Sequence, residues 1–72
     1  MDDAVVMLTP SEVGRMLHVH RKTITRWARE GKLTAVRTPG GRRRYPLTVV
    51  RALLERMGYD EQSAMDAIRA VR

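Results

Sequence analysis

Cysteine and phenylalanine are absent from this 72-residue chain, and its aromatic side chains number three, Trp27, Tyr45 and Tyr59. Without cysteine there is no disulfide and no thiolate metal site to hold a small fold together. With so few aromatics, the core has to be built from Val, Leu, Ile, Met and Ala. Two histidines, His18 and His20, stand two residues apart with no third ligand nearby, which argues against a bound metal. No Ser-His-acid set, paired carboxylates or phosphate-binding loop is present, and the Gly-Gly of TPGGRRR lacks the strand and helix of a nucleotide motif. The expectation is a non-enzyme without cofactor. No apolar run approaches the roughly 20 residues of a membrane span, and the acidic start MDDAVVML is unlike a signal peptide. The expected compartment is the cytoplasm, at the nucleoid.

Acid is scarce in the middle of the chain. Between Arg15 and Arg44 stand ten of the fourteen basic residues and one acid, Glu30, a local net charge of +9. The preceding segment carries Asp2, Asp3 and Glu12, and the segment from Tyr45 onward is balanced. A domain so polarised presents one strongly positive face, whose commonest partner is a polyphosphate backbone. Hydrophobic content of 43% suits a globular chain rather than a disordered tail. At this size the chain is one domain, 1–72, burying only about 60% of its unfolded surface.

The expected fold is mainly α with a small β-hairpin. Thr9-Pro10-Ser11-Glu12 has the spacing of a capping box with proline in the first turn, and Leu8 with Val13 that of a hydrophobic staple. This predicts a helix over Pro10 to Leu17 that buries Val13, Met16 and Leu17. His18-Val19-His20 interrupts it, with His20 a mediocre cap for a second helix from Arg21 to about Glu30. Gly31 follows as the left-handed cap, with Leu33 folding back. Two short helices so joined form a helix-turn-helix. Next, Thr38-Pro39-Gly40-Gly41 separates two β-compatible runs, which predicts a hairpin wing with Ala35 or Val36 and Tyr45 facing inward. Pro46 opens a third helix to about Met57, with an apolar stripe of Leu47, Val50, Leu53, Leu54 and Met57. Asp60 caps a fourth helix, Glu61 to about Ala70.

At about 100° per residue, Ile24, Trp27, Ala28 and Gly31 share one face of the second helix. Lys22, Thr25, Arg26, Arg29 and Glu30 occupy the other. A charged solvated face is the plain explanation of such a helix, but here the exposed arc is almost purely cationic and its like charges repel. A helix fits the major groove, where arginine bonds two guanine acceptors and threonine meets a thymine methyl. The candidate contacts are Arg21, Lys22, Thr23, Thr25, Arg26 and Arg29, with the N-terminal part reading bases. Trp27 is a core residue on this pattern, its indole N–H and His20 being further candidates for phosphate contact. The wing adds Arg37, Arg42, Arg43 and Arg44, placed for the backbone or the minor groove. Strand alternation sets Arg43 on the opposite face from Arg42 and Arg44.

The run LTPSEVGRMLHVHRKTITRWAREGKLTAVRTPGGRRRY resembles the winged helix-turn-helix of the MerR superfamily, most of all its short BldC-type and excisionase-like members. The likeness covers roughly residues 8–54. It implies a small double-stranded DNA-binding protein, acting as a transcription factor or, in the excisionase branch, as a recombination or DNA-bending factor. It also implies DNA contacts from the second helix and the wing. Many relatives carry Asp or Ser where His20 stands, and the helix over 60–72 falls outside the likeness. That helix either covers the core or contacts a partner protein. A module this small buries little DNA surface, which leads to an expectation of cooperative self-association on repeated sites. An RNA-binding module is the alternative the charge allows, but exposed stacking aromatics are lacking.

Overall fold

The computed structural model describes residues 6–72; the acidic start with Asp2 and Asp3 lies outside them. In chain order the elements are β1 (Met7–Leu8), α1 (Pro10–Leu17), α2 (Arg21–Arg29), β2 (Val36–Arg37), β3 (Arg43–Pro46), α3 (Leu47–Arg56) and α4 (Glu61–Val71).

The α1 start follows the sequence pattern in full. Thr9 Oγ1 accepts from the Glu12 N–H at 3.1 Å, and Glu12 Oε1 accepts from the Thr9 N–H at 2.9 Å. Leu8 and Val13 are both fully buried, as a staple requires. At its other end, His18 turns into the left-handed region (φ 59°) and donates its N–H to the Gly14 carbonyl. The Val19 N–H reaches the same carbonyl at 2.9 Å. This corner leaves no room for a side chain at position 14: a Cβ there would stand 2.6 Å from the Val19 carbonyl oxygen.

His20 caps α2 through its ring, with Nδ1 accepting from the Lys22 N–H at 3.0 Å. The helix ends at Arg29, one residue short of the expected end, with Glu30 as its cap. Gly31 adopts φ 79°, and the N–H groups of Lys32 and Gly31 return to the carbonyls of Trp27 and Ala28 at 2.9 and 3.2 Å. These are the paired bonds of a Schellman ending, which sends Leu33 into the core at 3% exposure.

The wing is more than a hairpin. The sheet order is β1-β3-β2, all antiparallel, so Met7–Leu8 supplies a strand that the sequence pattern did not indicate. Two residues are too few to carry a period of two. Leu8 pairs with Tyr45, while Val36 faces Arg44 and Arg37 faces Arg43. At the tip, the Thr38 N–H bonds the Arg42 carbonyl and the Gly41 N–H bonds the Thr38 carbonyl, both at 2.8 Å. Gly41 then takes φ 84°.

One choice between two residues is settled and two further expectations are corrected. Val36 is 42% exposed rather than inward, because its register partner is the outer-face Arg44; half-buried Ala35 takes the inward place. Pro46 is the last residue of β3, so α3 begins at Leu47. Met57 is 50% exposed because α3 has ended by then, leaving Val50 and Leu54 as its buried pair.

Asp60 Oδ1 accepts from the Ser63 N–H at 2.7 Å and starts α4. Ala64 and Ile68 are buried where α4 packs on α1 and α3, so its apolar face covers the core. Arg72 adds an ion pair to Glu12 at 3.8 Å. The buried set is Leu8, Val13, Met16, Leu17, Ile24, Leu33, Tyr45, Val50, Leu54, Ala64 and Ile68, aliphatic except for one tyrosine. Among the described residues no helix is long and apolar enough to cross a membrane.

Gly14→Ala forces the corner open and should cost about 1–3 kcal/mol in chemical denaturation, the usual range for overpacking. His20→Ala should cost roughly 1 kcal/mol in the same assay, and His20→Asn, which keeps an acceptor, should cost little. The Ser63 backbone and side-chain hydrogen bonds hold the Asp60 carboxyl below the ordinary 3.8. Its charged form is thus favoured on folding: the gain is complete above the ordinary value and disappears as pH falls through the lowered one. Between about pH 7 and about pH 3 the native chain should therefore lose more melting temperature than Asp60→Asn.

Candidate nucleic-acid interface

Helix α2 carries its charges on a single arc because Ile24, fully buried, fixes its rotation against the core. Arg21, Lys22, Arg26 and Arg29 are exposed, while Thr23, Thr25, Trp27 and Ala28 are half-buried. Gly31, expected on the buried face, is exposed because the helix stops before it. Thr25 Oγ1 donates to the Arg21 carbonyl at 3.3 Å, back along its own helix. Arg26 Nε stands 4.0 Å from Glu30 Oε2, and Lys32 Nζ is 3.3 Å from Glu30 Oε1.

The wing's guanidiniums bond backbone rather than acids. Arg37 Nη1 donates to the Gly41 carbonyl at 3.3 Å, and Arg44 Nη1 to the Arg43 carbonyl at 2.8 Å. Arg42 is exposed, and Arg43 and Arg44 are half-buried. Register makes Arg37 and Arg43 direct cross-strand partners, and like charges so placed destabilise a sheet. Of the eight cationic side chains put forward as contacts, Arg26 alone meets a carboxylate among the described residues.

One residue of the wing's middle strand belongs to the core. Tyr45 is fully buried two positions after Arg43, on the same strand face. Burial raises its pKa, and the Arg43 charge and the Thr25 hydroxyl pull it back down. No well-formed hydrogen bond satisfies the Tyr45 hydroxyl, and the strand that carries it packs on α1 and α3. The signal available in the sequence was the spacing of two from Arg43.

A cationic rod beside a cationic strand pair can lie in a major groove and along a phosphate backbone. Neither histidine is placed for metal chemistry: His18 forms the α1 corner and His20 caps α2. Among the described residues no group of three or more His, Cys, Asp or Glu could hold a metal ion.

No curated protein matches the chain. The helix-turn-helix domain matches over residues 7–58, from β1 to just past α3. Proteins of that kind are typically non-catalytic. The match is to the domain in general and does not single out the MerR branch or its BldC-type members. It stops before α4 and takes in every element that positions the cationic face. With well over half of its length matched, the chain belongs to the helix-turn-helix domain family.

Proposed function

We propose that this chain is a sequence-specific double-stranded DNA-binding protein and a small transcriptional regulator of MerR-like, BldC-type character. In this reading α2 enters the major groove and the arginine-rich wing lies at the backbone or in the minor groove. The observation that carries it is the cationic surface: among the described residues seven of the eight named cations meet no carboxylate, and Arg37 faces Arg43 across the sheet. Lys22, Thr25, Arg26 and Arg29 read base edges, with Thr23 half-buried beside them. Arg21, Arg37, Arg42, Arg43 and Arg44 hold phosphates. His20 acts as the cap of α2, which orients its first turn at the groove. Such a small surface gains affinity when copies bind side by side on repeated half-sites, and the setting is the nucleoid of the cytoplasm.

Recognition of single-stranded RNA by stacking is less well supported, since Tyr45 is buried and Trp27 and Tyr59 are half-buried. The excisionase-like alternative uses the same surface and differs in where the bound sites lie. If five phosphates are neutralised, log K should fall against log salt with a slope of roughly −4.5 in a binding titration. Arg26→Ala or Arg29→Ala should cost about 1–3 kcal/mol on the cognate site and relax specificity. Arg43→Ala should weaken cognate and scrambled duplexes alike. Equal affinity for duplex DNA, single strands and heparin at moderate salt overturns the reading.

A further inference from the structure

The C-terminal ends of α2 and α3 enclose an open groove of about 360 Å³, lined by Trp27, Lys32, Leu53, Arg56 and Met57. Trp27 is about 200° around the helix from Thr25 at 100° per residue. By the same count Trp27 stands roughly 100–160° from Lys22, Arg26 and Arg29, so the groove opens beside the cationic arc rather than on it.

Its chemistry is mixed. Met57 is 50% exposed, one of three large apolar side chains so placed among the described residues; Trp27 and Leu53 are half-buried. Aromatic residues, Met and Arg are the types enriched in protein–protein contacts. Two cations flank the apolar floor. Arg56 has no carboxylate partner among the described residues, and Lys32 is held only by exposed Glu30, a solvated pair that costs little to open. A phosphate backbone would satisfy the cations but leave the apolar floor uncovered.

We propose that this groove docks an acidic segment of a partner protein. An apolar anchor of that segment rests on Trp27, Leu53 and Met57, and its carboxylates meet Lys32 and Arg56. The placement leaves the partner surface on α2 and α3 rather than on α4, whose apolar face is covered by the core. The inference goes beyond the duplex-binding reading and does not depend on it.

Trp27 is the only tryptophan, so its emission reports the groove directly. The full chain is titrated at about 0.15 M salt with a synthetic decapeptide of alternating aspartate and leucine pairs. A saturable change in emission is expected. Met57→Asp and Arg56→Glu, both outside the core, should each weaken it by about tenfold or more. Arg69→Glu makes the same charge change as Arg56→Glu but on α4, and should leave binding within about twofold. The proposal is overturned by the absence of a saturable change, by equal binding of a peptide with serine in place of leucine, or by equal loss in Arg69→Glu. It is also overturned if a duplex oligonucleotide, and not the peptide, produces the change that Met57→Asp and Arg56→Glu remove; the groove then belongs to the DNA backbone.

Discussion

The rest of the molecule depends on the corner between α1 and α2. There the Gly14 carbonyl takes two N–H groups, from His18 and Val19, and the Val19 carbonyl occupies the space of a side chain at position 14. Backbone packed this closely has little freedom to pivot, so the angle at which α2 leaves α1 is fixed by contact. Helix α1 also receives α4 and β3, which makes it the body against which α2, α4 and the middle strand of the sheet are set. Opening the corner would move the cationic arc relative to the wing before it exposed much of the core. A domain with about 5–15 kcal/mol of stability has little margin for such a change.

The wing is held by a second constraint. Strand β3 lies in the middle of the sheet, paired to Met7–Leu8 on one side and to Val36–Arg37 on the other. The hairpin is thereby tied to the segment that caps α1. Tyr45 anchors β3 in the core, where that strand packs on α1 and α3, burying its ring completely while its hydroxyl stays without a well-formed bond. An unsatisfied buried hydroxyl costs about 1–3 kcal/mol, so the position sacrifices some stability. What the ring provides is bulk at the junction of sheet and helix, and Arg43, two residues earlier, is carried to the same side.

The helices were legible because their ends are written in local chemistry. Thr9-Pro10-Ser11-Glu12, Gly31 and Asp60 each specify a start or stop through one or two hydrogen bonds that a short window contains. The sheet was less legible. Strand β1 has no periodicity of its own, and its existence depends on Tyr45, far along the chain. Val36 and Met57 look like core by composition, yet register places one opposite Arg44 and helix termination leaves the other outside the fold. The cationic surface could be read as charge but not as geometry. That Arg37 opposes Arg43, and that Tyr45 pairs with Leu8, are facts of register that spacing within one segment does not contain.

The acids show how the charge is arranged. Glu12 and Asp66 pair with arginines of α4, on the side where that helix closes over α1 and α3. Among the described residues Glu30 alone pairs with the cationic stretch, and it is divided between Arg26 and Lys32. Attraction is therefore concentrated behind the core and repulsion in front of it. In the unfolded chain the same cations are spread out and repel weakly; folding gathers Arg37 opposite Arg43 and stacks Lys22, Arg26 and Arg29 along one arc. An anion array shaped to that face relieves the repulsion only in the folded state, where the charges are held together. Ligand binding and fold stability are then linked, and the strain that weakens the free domain becomes part of the force that holds its partner.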